Sequence, residues 1–288
     1  MASEFQFLTP ATLPEALTWL SAASGLSPLA GGTNLVVDMR SGRYVPEGVV
    51  NINHLMDLKG IQLEGNCLIL GSTITIADLL KDARVVQYAP ALHQAAAVFA
   101  NSLIRNRATL GGNLVDASPA ADMAPPLLVL NAEVELLSQS GLRIIPLKDF
   151  FAGVRKTILQ PGELLTRVRF SIPKGASTFY KIGLRKADAI SVVSAAVYLE
   201  CTSQNVCQEL RIALGSVAPR PIRVEEAENF LKGCLLTPEN IHLTGKLAAK
   251  ATSPISDVRS SAEYRHRMAE VIVSRLLNQL AAQKHLEE

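Results

Sequence analysis

Two short segments carry the residue types from which a binding site can be assembled. Ala30-Gly31-Gly32-Thr33-Asn34-Leu35 and Thr109-Leu110-Gly111-Gly112-Asn113-Leu114 each set a glycine pair between an apolar approach and polar side chains. Lacking Cβ atoms, paired glycines let the backbone come close to a ligand and turn several N–H donors toward one anion. A pyrophosphate suits such a nest, with the hydroxyls of Thr33 and Thr109 and the amides of Asn34 and Asn113 as further donors. Taken singly, each pair also reads as a tight turn. Nine residues after Asn113, Asp122 closes the run Ala117-Ser118-Pro119-Ala120-Ala121-Asp122. A carboxylate there can accept from a ribose or ribityl hydroxyl; a helix N-cap or a surface aspartate is the plainer alternative.

Fingerprints of protein-borne catalysis are missing. The chain has no His-Glu-x-x-His, no paired-cysteine motif, no Gly-x-Ser-x-Gly elbow and no lysine-bearing phosphate loop. No catalytic residue is assigned to it on these grounds, and a bound cofactor has to carry the chemistry. His54, His93, His242, His266 and His285 are too dispersed to form a sequence-local ligand set, and Cys67, Cys201, Cys207 and Cys234 lack the spacing of a zinc or iron-sulfur site. The expectation is no metal on this chain, with reduced, structural cysteines.

With 28 basic against 26 acidic residues the net charge is +2, and no basic stripe interleaved with aromatics is present to grip nucleic acid. No apolar run approaches the roughly 18 residues that span a bilayer. The opening Met1-Ala2-Ser3-Glu4-Phe5 lacks the basic-then-apolar pattern of a leader, so a cytoplasmic chain is expected.

The elements that must hold these segments alternate between helix and strand. Thr12-Leu13-Pro14-Glu15 has capping-box spacing, and Leu13, Leu17 and Leu20 recur at helical intervals behind it. Residues 49–52 read as a strand, and 61–70 as a hairpin turning at Gly65-Asn66. Helices are expected over 75–80, over the alanine-rich 89–100 and over 123–130, then a hairpin of 133–138 with 142–147 and a strand over 164–172. Pro173-Lys174-Gly175 breaks the pattern and sets the expected division into two domains, 1–173 and 174–288. The second opens with three strand-like runs, 179–183, 192–200 and 209–214, and continues with helices over 223–231, 238–251 and 262–280. In the last helix Tyr264, Met268, Val271, Ile272, Leu276 and Leu280 form one apolar stripe, read as core.

These motifs resemble a known family, the FAD-binding medium subunits of molybdenum hydroxylases such as xanthine dehydrogenase, aldehyde oxidoreductases and aerobic carbon monoxide dehydrogenase. The resemblance runs over nearly the whole chain. It rests on residues 29–35, on 104–114, on 117–122, and in the second half on Gly215-Ser216-Val217-Ala218-Pro219-Arg220-Pro221 and on 256–265. The implied fold class is α+β: a two-part FAD-binding domain of the vanillyl-alcohol-oxidase (PCMH) type, followed by a three-stranded antiparallel sheet with a helical bundle.

The resemblance further implies non-covalent FAD, with its pyrophosphate wrapped by Leu29, Ala30, Gly31, Gly32, Thr33, Asn34 and Leu35 and by Thr109, Gly111, Gly112 and Asn113. Asp122 would hold a flavin-side hydroxyl, Phe99 and Ala100 would lie against the cofactor, Leu164 and Leu165 near the adenine, and Lys181 within reach of the isoalloxazine. An ammonium there has a use, because reduction builds negative charge on the ring. Ala121 stands where some relatives carry a hydroxyl, which implies one cofactor hydrogen bond fewer. The implied role is electron transfer from [2Fe-2S] clusters of a small subunit, through FAD, to NAD or another acceptor. A large subunit would hold the molybdenum cofactor, in a dimer of heterotrimers. A stand-alone flavoprotein oxidase or reductase and a non-redox nucleotide-binding module are the alternatives.

Overall fold

The structure is a computed structural model that describes residues 5–22, 25–185 and 187–284; Met1 to Glu4 and His285 lie outside the described residues. The chain starts with strand β1 (Gln6–Leu8), helix α1 (Leu13–Ala22), β2 (Leu26–Leu29), α2 (Leu35–Arg40) and β3 (Gly48–Asn51). Thr12 Oγ1 accepts from the N–H of Glu15 at 3.3 Å, as capping-box spacing predicts, but the Glu15 carboxylate reaches to Ala11 N at 2.6 Å. The three strands form a parallel sheet in the order β1-β3-β2. Leu13, Leu17 and Leu20 of α1 bury against Val50 and Ile52, closing a small core of their own.

A second layer follows: β4 (Ile61–Glu64), β5 (Cys67–Gly71), α3 (Ile76–Lys81), α4 (Ala83–Tyr88), α5 (Pro90–Ala97), α6 (Ser102–Arg105), α7 (Leu110–Val115), α8 (Ala124–Val129), β6 (Glu133–Ser138), β7 (Gly141–Pro146), β8 (Phe151–Gly153), β9 (Lys156–Thr157) and β10 (Leu164–Ser171). Five of these strands make an antiparallel sheet ordered β4-β5-β10-β6-β7. The β4–β5 hairpin turns at Gly65-Asn66, where Gly65 has φ +58°. Alternate residues Leu68, Leu70, Val134, Leu136, Val168 and Phe170 point to the main core, the period of two of a pleated strand.

The chain then forms β11 (Ala176–Ile182), β12 (Val193–Cys201), β13 (Cys207–Gly215), β14 (Ile222–Arg223), α9 (Glu225–Leu231), α10 (Pro238–Lys250) and α11 (Ala262–Lys284). The three expected strands are joined by β14, a two-residue fourth that the three-stranded expectation omits. β12 is buried on both faces: Val193, Ala195, Val197 and Leu199 meet the helices, while Ala196 and Tyr198 close the main core. This explains its unbroken apolar run.

Helix α11 sits rotated from its expected stripe. Tyr264 and Val271 are exposed, at 43% and 37%, while Arg265, Ala269, Ile272, Val273, Leu276 and Leu280 are buried. The cause is Arg265, whose guanidinium donates to the carbonyls of Val192 at 2.9 Å and Ser216 at 3.0 Å and to Asp257 Oδ1 at 2.7 Å. A hydrophobicity pattern assigns arginine to the solvent side and so turns the helix the wrong way. Folding also gathers cysteines that the sequence scatters. Cys201 and Cys207 are register partners, and Cys207 N–H donates to the Cys234 carbonyl at 2.9 Å. None of the four cysteines is in a disulfide, and burial pushes the Cys207 thiol up to about 12. Among the described residues no three His, Cys, Asp or Glu side chains converge on a metal-sized site, and no helix is long and apolar enough to cross a membrane.

Candidate functional site

The first glycine segment leaves β2 at Leu29 and enters α2 through Asn34. Its backbone lies directly on that of the second segment: a Cβ on Gly31 would sit 1.9 Å from the carbonyl oxygen of Arg107 and 3.2 Å from Ala108 Cα. Only glycine permits this approach. Gly32 has φ +71°, the left-handed conformation that turns the chain outward into α2. Among the described residues, the N–H groups of Gly31, Gly32, Thr33, Asn34 and Leu35 donate to no protein acceptor, which leaves a run of consecutive donors available to an anion.

The second glycine pair is the first turn of a helix rather than an open turn. Thr109 caps α7, its Oγ1 accepting from Gly112 N at 3.1 Å. Gly111 N donates to Ser72 O at 2.8 Å, and a Cβ on Gly111 would meet Ser72 Cβ at 2.7 Å. The two glycines thus divide their roles. Gly111 lets α7 seat on the Ser72 backbone, whereas a Cβ on Gly112 would meet only Thr109 Oγ1 within 4 Å and would otherwise face open space. Ser72 Oγ itself is buried without a partner. Asn113 Oδ1 accepts from Met123 N at 3.2 Å, which orients its amide NH2 as the remaining donor and ties α7 to the turn bearing Asp122.

Sequence reasoning missed the residue that clamps the two segments. Arg155 donates through Nη2 to Asp38 on α2 and, at 3.0 Å, to Asp116 at the end of α7, while its N–H donates to Ala117 O at 2.9 Å. The Arg155 hydrogen bond holds the Asp38 carboxyl below the usual carboxylate range, against the opposing effect of burial. No local signal marks such a residue, since its partners lie far along the chain.

Asp122 and Lys181, expected at the flavin end, are bonded to each other. Lys181 Nζ lies 2.7 Å from Asp122 Oδ2 and 3.1 Å from the Ala189 carbonyl, and the Ser191 hydroxyl donates to Asp122 Oδ1. Both partners of the ion pair are almost wholly buried. Burial pushes the Asp122 carboxyl up, and the Lys181 charge and the Lys181 and Ser191 hydrogen bonds pull it back. Asp122 is therefore engaged on both oxygens by the protein, and a cofactor hydroxyl would use the lone-pair positions that remain.

Phe99 and Ala100 follow α5, with Ala100 in the left-handed region at φ +37°. Arg105 Nη1 donates to their carbonyls at 2.8 and 3.4 Å and so fixes that conformation. Leu164 and Leu165 point opposite ways, the former into the small core and the latter into the main one, each 4% exposed. Their side chains are occupied by packing, and at the irregularity between Leu165 and Arg167 the Thr166 carbonyl accepts from Ser72 N at 2.9 Å. A surface hollow of about 510 Å³ lined by Asn53, Lys59, Thr75, Lys81 and Arg84 includes none of the expected site residues.

One line of contacts therefore runs from Gly31 through Arg107 and Thr109 to Asn113, then through Met123 to Asp122 and Lys181. Unpaired N–H donors, a backbone cradle that a Cβ would fill, and a buried charge pair beyond it fit an elongated anionic ligand carrying hydroxyl groups.

A family model described as the FAD binding domain in molybdopterin dehydrogenase matches residues 3–174, and one described as the CO dehydrogenase flavoprotein C-terminal domain matches residues 178–280. The chain is 31% identical over 276 residues to the xanthine dehydrogenase FAD-binding subunit of Escherichia coli O157:H7, covering 94% of each. It is 32% identical over 280 residues to the carbon monoxide dehydrogenase medium chain of Afipia carboxidovorans, covering 96% of this chain and 97% of that one. Among solved structures it superposes on a chain of a Cu,Mo-CO dehydrogenase in its cyanide-inactivated form with a TM-score of 0.93, at 31% identity, covering 96% and 98% of the two chains.

Proposed function

This chain belongs to the FAD-binding medium subunits of the molybdenum hydroxylases, and we propose that it acts within such an enzyme as the electron-transfer subunit. In this reading it receives electrons from [2Fe-2S] clusters on a small partner subunit and delivers them to NAD or another acceptor. Substrate is oxidised at a molybdenum cofactor on a large partner subunit, and the whole assembles as a dimer of heterotrimers in the cytoplasm. Two domains, 1–173 and 174–288, divide the work.

When bound, FAD supplies the two-electron chemistry that the side chains of this chain lack. The N–H groups of residues 31–35, with Thr33, Thr109, Gly112 and Asn113, would hold the diphosphate. Phe99 and Ala100 would line the cofactor, Leu164 and Leu165 the adenine end. Lys181 would stabilise negative charge at the isoalloxazine, with Asp122 fixing it. The observation that carries the reading is the backbone contact of Gly31 on Arg107, which sets a run of unpaired N–H donors beside the second motif.

The test is uptake of FAD by the purified chain. Stoichiometric flavin, released as intact FAD on denaturation, is the expected result. Electron exchange with substrate is expected only when the two partner subunits are added. A chain that binds no flavin would overturn the reading, and one that oxidises a small substrate unaided would make it a stand-alone enzyme.

A further inference from the structure

Burying a carboxylate costs free energy unless hydrogen bonds and a counter-ion compensate it. Asp122 is 5% exposed and has two such partners from distant parts of the chain, Lys181 on β11 and Ser191 just before β12. Ser191 is itself wholly buried and its hydroxyl has one acceptor, Asp122 Oδ1. Its position is set from behind, because Arg265 of α11 donates to the carbonyl of the next residue, Val192, at 2.9 Å.

From this geometry we infer that Ser191 is a positioning residue for the flavin site. Its hydroxyl keeps the Asp122 carboxylate ionised and turned onto Lys181, so that the cofactor meets a charge-compensated pair and not an unopposed ammonium. The inference rests on the FAD reading above and adds to it a residue that acts through Asp122 without touching the cofactor.

The surrounding charges leave Asp122 to these two partners. Among the described residues Lys181 is the one charged side chain in contact with it. Arg265 and Asp257 are engaged with each other at 2.7 Å behind Val192, Arg185 and Asp188 pair at 3.7 Å in the β11–β12 connection, Asp116 is held by Arg155, and α8 carries no charge. Removing the hydroxyl withdraws a hydrogen bond from the ionised form, so the carboxyl takes up a proton at higher pH than before. Lys181 is then unopposed, and added negative charge on the flavin becomes easier to accommodate.

The test is a redox titration of the full-length, FAD-loaded chain across a range of pH, comparing wild type with Ser191→Ala. The variant is expected to show a midpoint potential shifted upward in an intermediate pH window. The shift should vanish at high pH, where the carboxyl is ionised in both proteins, and at low pH, where it is protonated in both. Asp122→Asn is expected to keep the upward shift at high pH. If Ser191→Ala does not hold FAD, the near-isosteric pair Ser191→Thr and Ser191→Val makes the same comparison, with the first expected to match wild type and the second to shift upward. Coincident potentials for wild type and Ser191→Ala at every pH, or for the Thr and Val variants, would overturn the inference; loss of packing alone weakens binding without this pH signature. A wild-type chain that takes up no FAD would instead overturn the reading beneath it, before any variant is made.

Discussion

Gly31 and Arg107 touch backbone to backbone, with no room for a single carbon between them: a Cβ on the glycine would lie 1.9 Å from the arginine carbonyl oxygen. That contact joins the two glycine segments.

Gly31→Ala should therefore force the segments apart. Overpacking at a site bounded by rigid backbone costs about 1–3 kcal/mol. Chemical denaturation is expected to show a loss of that size, together with at least a tenfold weaker FAD affinity by flavin fluorescence titration. Unchanged affinity would mean that the joint does not shape the cofactor site.

Gly112→Val sets a large loss of binding against a bounded cost in stability. The added Cβ meets only Thr109 Oγ1, at 2.7 Å, and valine is no worse than glycine inside a helix. That oxygen is the cap of α7, accepting from Gly112 N, so displacing it should cost about 0.5–2 kcal/mol, while flavin retention should be lost because the side chain fills the space assigned to the phosphate. Undiminished flavin absorbance per protein would remove Gly112 from the site.

Lys181→Ala is expected to retain FAD at a lowered reduction potential, and an identical potential would place Lys181 outside the site. Stability should fall as well, by about 3–5 kcal/mol at pH where Asp122 stays ionised, since a buried charge is left alone. Asp122 is a group whose folded-state pKa is already raised by burial, and losing Lys181 raises it further. Its contribution is then fully present below the unfolded carboxylate pKa and is lost as pH rises through the folded value. Urea unfolding at several pH values should show the deficit of the variant growing with pH.

Asp257 carries the opposite sign. Arg259 above all, with Arg265, holds its carboxyl well below the usual carboxylate range. Such a group stabilises the fold above the unfolded carboxylate pKa of about 3.9, and that stability is lost as pH falls through the folded value. Asp257→Asn, which weakens a charged hydrogen bond to the buried Arg265, is expected to cost about 1.5–3 kcal/mol at neutral pH. Acid titration of the unfolding free energy should show a shallower acid limb in the variant; superimposable limbs would exclude Asp257 as a source of acid sensitivity.

Much of the fold could be read in the residues because its signals are local. The Thr12 cap, the Gly65-Asn66 hairpin and the period-two strands around Val134 and Val168 each depend on neighbours a few positions away. Where a signal depends on a distant partner, reading fails. The apolar stripe of α11 turns out rotated because buried Arg265 answers to carbonyls at Val192 and Ser216, and the two-residue β14 exists only because β13 is beside it.

The site divides in the same way. Sequence alone determined which residues lack side chains and where: Gly31, Gly32, Gly111 and Gly112 advertise close approach because only glycine tolerates it. It also determined family membership, through motifs spread along the chain. Tertiary structure decided what those residues do. It gave Gly31 to a backbone joint, Gly111 to the seat of a helix and Gly112 to open space, brought Arg155 across to clamp both segments, and closed Asp122 onto Lys181 and Ser191. The physical reason is range: backbone sterics act within a residue or two of their cause, whereas burial and charge pairing exist only after folding has brought remote groups together.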